Sequence, residues 1–213
     1  MSEGAEPRSL MTDPKAGNDH DLLQRMRAGD EEAFVQIYRS RHNAIHSFAL
    51  QMCGSLSVAE DVTQEVFLAF MRDVDKYDPA RGSLSAYLYG MARNIALDFL
   101  KRGRADVPMG EPGMETASRL AGPGDPLSDL TRAEAVESLR RAVLALPPHY
   151  REVLVLCDLN EMDYAHAAGV LGCAVGTVRS RLHRAREMLL RRLGARRAAG
   201  EHAESLKPAR CIP

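Results

Sequence analysis

A chain of 213 residues with 45% hydrophobic and 27% charged residues has the composition of a globular protein, in one large domain or two small ones. Its formal net charge of −1 excludes a global positive field, so any attraction to a polyanion must come from local segregation of charge. No apolar run reaches the roughly 18 residues of a membrane helix, the first twenty residues hold no secretory apolar stretch, and Cys53, Cys157, Cys173 and Cys211 form no CxxC pair; the expectation is a soluble cytoplasmic protein without membrane insertion.

In chain order, residues 1–20 are polar and read as a disordered tail. Apolar residues recur at helical spacing over residues 21–102. Gly54 supplies a stop for one helix, and Ser57 with Glu60 forms a capping box for the next, whose Val62, Val66 and Phe70 make one stripe. Tyr77, Asp78, Pro79, Ala80, Arg81 and Gly82 read as a loop. A second long helix follows from about Leu84, expected to bury Leu84, Leu88, Met91, Ile95 and Phe99. Periodicity stops over residues 103–129, where Pro and Gly recur and acids outnumber bases, the pattern of a flexible linker. It resumes over residues 130–193, with a capping box at Thr131 and Glu134 and a break at Pro147 and Pro148. Two further helices flank a turn at Gly172, and residues 194–213 form a C-terminal tail, read as disordered and containing Cys211. The fold class expected is all-α: two small helical domains joined by a flexible linker, the second a helix-turn-helix.

The last helix carries the most specific chemistry. Val175, Val178, Leu182, Ala185 and Leu189 form a core stripe, while Arg179, Arg181, Arg184, Arg186, Arg191 and Arg192 crowd the rest of the surface with Glu187 as the only acid. Like charges so close cost helix stability, and phosphates would offset that repulsion. A charge run is usually a solvated face. Here the absence of interleaved Glu, and a short helix placed just before a Gly-containing turn, favour a helix-turn-helix whose second helix enters the major groove. Thr177, Arg179, Ser180, His183 and Arg184 are placed for base edges, with Arg181 and Arg186 adding to the same DNA-binding set.

The segment from Val175 to Arg186 (VGTVRSRLHRAR) resembles the −35-reading helix of bacterial RNA polymerase sigma factors of the extracytoplasmic-function (ECF) type. Leu146 to Leu154 (LPPHYREVL) resembles the opening of that module, and Met162 to Ala168 its first helix-turn-helix helix. In the first module, Ala59 to Phe67 (AEDVTQEVF) is similar to the sigma-factor helix that docks on the clamp helices of the polymerase's largest subunit, which implies polymerase contacts for Asp61, Gln64 and Glu65. On residues alone, Asp61 and Glu65 are like charges four apart whose repulsion the helix dipole partly offsets.

Tyr87, Asn94 and Lys101 recur along one flank of the long helix, with Tyr89 and Arg93 nearby. Aromatic faces stack on unpaired bases for about 1–3 kcal/mol each, although two such Tyr residues are more often core. The match of Tyr77 to Ser83 and of Tyr87 to Asn94 to the −10-reading region of the family implies base capture and strand opening by Tyr77, Arg81, Tyr87, Tyr89, Arg93, Asn94 and Lys101. This sequence has Tyr87 where the family usually has Trp. The resemblance covers residues 21–102 and 130–193 in the family's order. It implies core RNA polymerase (clamp helices and flap region), promoter DNA and an anti-sigma factor as partners. An extended linker reaches roughly 90 Å, more than the roughly 60–70 Å that separates two DNA elements nearly two turns apart.

Two rivals remain at this level. A stand-alone helix-turn-helix regulator explains the Arg-rich helix but leaves the acidic face of the first module idle. A metal protein could use His42 and His46, four apart on a helix, but neither an HExxH pattern nor a third ligand accompanies them. No nucleophile–base set and no Gly-rich phosphate loop is present, so neither a cofactor nor catalysis is expected.

Overall fold

The computed structural model describes residues 16–106 and 126–205. Every regular element among the described residues is helical. The first module holds α1 (Ala16–Arg27), α2 (Glu31–Cys53), α3 (Leu56–Arg72) and α4 (Leu84–Asp106), with two 3₁₀ turns, Val74–Lys76 and Pro79–Arg81, between α3 and α4. The second holds α5 (Pro126–Leu144), α6 (Pro148–Leu154) running into a π turn at Val155–Leu159, α7 (Tyr164–Leu171) and α8 (Val175–Ser205).

Local chemistry sets most boundaries. Asp30 caps α2 by accepting from the amides of Glu32 and Ala33. Gly54 ends that helix in the left-handed region at φ 77°, where a side chain would be strained. Ser55, rather than Ser57, is the residue that caps α3: its hydroxyl accepts from the Val58 amide, so Ser57 lies one residue inside the helix. Val62, Val66 and Phe70 are fully buried, as their spacing predicts. In α4 the buried stripe runs through Leu84, Leu88, Ala92 and Ala96, while Met91, Ile95 and Phe99 pack against it half-buried.

Other boundaries differ from the sequence reading. Ala16 to His20, assigned to a tail, form the start of α1, which Asp19 ties to α2 through Arg41 at 2.7 Å with both side chains nearly buried. The linker is shorter than expected, because α4 continues to Asp106 and α5 begins at Pro126. Thr131 therefore lies inside a helix instead of capping one. The last helix continues to Ser205, past the expected end near residue 193. The first fifteen residues, the stretch 107–125 and the end of the chain with Cys211 lie outside the described residues.

The two modules also dock. Their buried side chains form one continuous cluster from Leu22 to Ala185. Arg151, nearly buried in α6, donates to the carbonyls of Leu144 and Leu146 in its own module and of Met52 at the end of α2. Asn160 accepts from the Tyr89 hydroxyl at 3.2 Å and donates to the Gln51 side chain at 3.2 Å. Leu144 lies so close to Gly54 that a Cβ there would stand 2.7 Å from its Cδ1.

Candidate nucleic-acid and polymerase interface

Three surfaces follow from this arrangement. The first is the outer face of α3. Burying Val62, Val66 and Phe70 turns Asp61, Gln64 and Glu65 outward, and all three are exposed, with no ion pair to Asp61 or Glu65 among the described residues. Leu68, one turn further on the same face, is 53% exposed, and Met71 is 49% exposed. Sequence reasoning passed over both; their signal was an apolar residue lying off the core stripe. An acidic rim around exposed aliphatic side chains is the chemistry of a protein-docking face rather than a DNA-binding one.

The second surface is the loop before α4 and the outer flank of that helix. Asp78 caps the Pro79–Arg81 turn by accepting from Ala80. The structure places Tyr77 beneath the loop: it is 6% exposed, its hydroxyl donates to the Gly82 carbonyl at 2.9 Å, and Arg27 donates to its own carbonyl. Tyr89 is likewise packed inward, with its ring edge-on to Phe48. The expectation that Tyr77 and Tyr89 present faces to bases does not match this arrangement; burial claims both, and it raises both phenol pKa values. Tyr87 is half-buried against Tyr77 and Phe70, and Arg81, Asn94 and Lys101 are exposed, Lys101 paired with Asp98. Tyr77 and Tyr87 thus form an aromatic base under a rim of Arg81 and Asn94.

The third surface is the helix-turn-helix. Asp163 caps α7 by accepting from the amides of Ala165 and His166, and its second carboxylate oxygen meets the His166 ring. Burial works against the Asp163 charge, but the hydrogen bonds from His166 and Ala165 outweigh it and lower its pKa. Gly172 then makes the turn at φ 62°. In α8, Val178, Leu182 and Ala185 are buried, while Val175 is 37% exposed and Leu189 is half-buried. Arg179, Ser180, His183 and Arg184 are exposed, and Arg179 lies over the Tyr164 ring at 5.9 Å. Thr177 is half-buried.

Over residues 175–193, interleaved Glu partners are absent apart from Glu187, which lies 3.9 Å from Arg191, but two further arginines find acids outside the helix. Arg186 grips Asp158 with two hydrogen bonds of 2.6 and 2.9 Å, and Arg181 lies 3.7 Å from Glu152. Both acids come from the α6 segment rather than from the helix itself. His42 stacks on both His46 and Phe67, and no group of three metal-binding side chains occurs among the described residues.

Comparison with known proteins bears on these surfaces. Sigma-70 region 2 matches residues 37–105, and Sigma-70 region 4 matches residues 136–189. The chain is similar to the ECF RNA polymerase sigma factor SigM of Mycobacterium tuberculosis, with 33% identity over 83% of this chain and 85% of that protein. The chain belongs to the ECF sigma factors. The ECF sigma factor SigW of Bacillus subtilis is 29% identical over 80% of this chain and 94% of its own length. Among solved structures, the sigma factor RpoE of Bartonella quintana, crystallised with the anti-sigma factor NepR, aligns with a TM-score of 0.60 and 26% identity over 76% of this chain and 96% of that one.

This ECF sigma factor therefore acts with RNA polymerase in promoter-specific initiation, and the stand-alone regulator is not favoured. Its α3 face and its loop–α4 flank fall within the region 2 match, and its helix-turn-helix within the region 4 match. No described helix of the sigma factor is long and apolar enough to cross a membrane. Besides Leu68 and Met71, sequence reasoning missed two acids, Glu152 and Asp158. Nothing in their local spacing marks them, because their partners lie far away in sequence.

Proposed function

We propose a division of labour between the two modules. The α3 face, with Asp61, Gln64, Glu65 and Leu68, docks on the clamp helices of core polymerase. Arg81, Tyr87, Arg93, Asn94 and Lys101 handle the −10 element, with Tyr77 and Tyr89 bracing that surface from beneath. Arg179, Ser180, His183 and Arg184 read the −35 element from the major groove, and Thr177, Arg181 and Arg186 add phosphate contacts or set the helix in place. The region 4 module also meets the polymerase flap, and the phosphodiester bonds are made by the polymerase in the cytoplasm, not by this chain.

The observation that carries this reading is the exposure of an acidic, partly apolar face and of an arginine-rich recognition helix on opposite halves of one chain. The RpoE relative was solved with an anti-sigma factor; by that likeness an anti-sigma partner is proposed here as well. The test is co-elution with purified core polymerase. Asp61→Ala with Glu65→Ala should abolish co-elution, while Arg179→Ala with Arg184→Ala should keep it and lose promoter-directed transcripts. The reverse pattern would overturn the assignment.

A further inference from the structure

A helix that lies before the matched family region reaches the loop proposed for the −10 element. That helix is α1, and the region 2 match begins only at residue 37. It ends in a Schellman turn: the Gly29 amide, at φ 89°, donates to the Met26 carbonyl and the Asp30 amide to the Arg25 carbonyl, both at 3.0 Å. The Arg25 side chain closes the same corner on the Asp30 carboxylate at 2.9 Å. Toward its other end, Asp19 ties α1 to Arg41, and Leu22 and Leu23 are buried between the two anchors. Arg27, the last residue of α1, is thereby held beside the loop.

Arg27 grips that loop by its backbone. Its Nη2 donates to the Tyr77 carbonyl at 2.7 Å and to the Val74 carbonyl at 3.3 Å, and its Nε stands 3.7 Å from the Asp75 carboxylate. Tyr77 passes the restraint on, because its hydroxyl donates to the Gly82 carbonyl and its ring packs on Tyr87 with centroids 5.2 Å apart. Arg81 therefore projects from a segment tied down on both sides, at Tyr77 and at Gly82. An arginine engaged with two main-chain carbonyls reads no base; it fixes the course of the backbone.

We propose that Arg27 is a positioning residue for promoter opening, holding residues 74–82 in the shape in which Arg81 and Tyr87 receive an unpaired −10 base. The proposal rests on the −10 assignment made above. A loop that visits its binding shape only about a tenth of the time captures a base about tenfold less well. Two charge-assisted hydrogen bonds are enough to set such a ratio. The Arg27 side chain is partly exposed, so water replaces it on both carbonyls when it is removed. The loop then loosens while the core beneath it stays folded.

The test uses the full chain with core polymerase on a promoter mapped by run-off transcription, and reads opening as permanganate reactivity of unpaired thymines around the −10 element. Arg27→Ala should still co-elute with core polymerase and melt within about 4 °C of the wild type, yet open the promoter about tenfold less. It should also discriminate less against a substituted −10 element while keeping the wild-type response to a substituted −35 element. Arg27→Lys, which keeps the charge but not the fork, should open about threefold less than the wild type. Wild-type opening by a folded Arg27→Ala, or by Arg27→Lys where the alanine variant loses helicity, overturns the proposal. So does a loss that falls equally on the −10 and −35 responses. Arg81→Ala with Asn94→Ala, both at exposed positions, is measured alongside. Unchanged opening there sinks the −10 assignment and this proposal with it, whereas lost opening there beside wild-type behaviour of the Arg27 variants sinks the proposal alone.

Discussion

Replacing Arg179 by alanine separates DNA reading from folding more cleanly than any other change in the recognition helix. Arg179 is exposed, and its contact among the described residues is with the face of Tyr164 at 5.9 Å. An exposed cation–π contact of this kind contributes about 0.5–1 kcal/mol. For a chain of this size such a loss lowers the melting temperature by no more than about 4 °C. A bidentate contact to a base edge carries about 1–3 kcal/mol of discrimination, or roughly 5- to 150-fold in promoter use. The assay is run-off transcription from one mapped promoter, beside thermal unfolding of the free protein. The expected result is a large fall in transcripts with a nearly unchanged melting temperature. An unchanged transcript yield, or a fall that merely tracks lost stability, refutes the placement of Arg179 in the groove. Arg186→Ala provides the contrast, since it removes the two bonds to Asp158 and should lower stability more than promoter discrimination.

Other perturbations test separate parts of the account. Changing Asp61 and Glu65 together to alanine relieves a like-charge pair, so stability should stay within about 0.5 kcal/mol of the wild type while core polymerase is lost from co-elution. Gly54→Ala forces a side chain into φ 77° against Leu144 and should cost about 1–3 kcal/mol by denaturant unfolding. The Asp163 pKa is lowered in the folded chain, so its stabilising charge is fully present above the unfolded value near 3.9 and is lost as pH falls through the lower folded value. Asp163→Asn, which keeps a capping oxygen but does not titrate there, should show a flatter dependence of stability on pH below about 5. The Cys53 and Cys157 thiols are both pushed up to about 11, chiefly by burial. At pH 8 they should react with a thiolate-specific reagent about a hundredfold more slowly than in the unfolded chain; equal rates would contradict their packing.

The helix-turn-helix was legible because its signals are local. Gly172 at the turn and the stripe from Val175 to Leu189 each act within a few residues; the structure realises the turn and buries Val178, Leu182 and Ala185, while Val175 is exposed and Leu189 half-buried. The α3 stripe and the Gly54 stop were legible for the same reason. Two serines in reach of one helix start left the α3 cap ambiguous, and Ser55 rather than Ser57 took it. The inward turn of Tyr89 was hidden, because a flank at helical spacing does not say whether Phe48 and Asn160 wait on the other side. The docking of the modules was hidden most completely. Arg93 meets Glu152 across 59 positions and Arg186 meets Asp158 across 28, separations at which sequence spacing carries no information about contact.

The central claim is that this chain directs core polymerase to promoters, and run-off transcription on a library of promoter fragments measures that most directly. Core polymerase supplied with this protein should start at discrete sites, each preceded by a shared pair of motifs nearly two helical turns apart. Transcripts no different from those of core polymerase alone would contradict it.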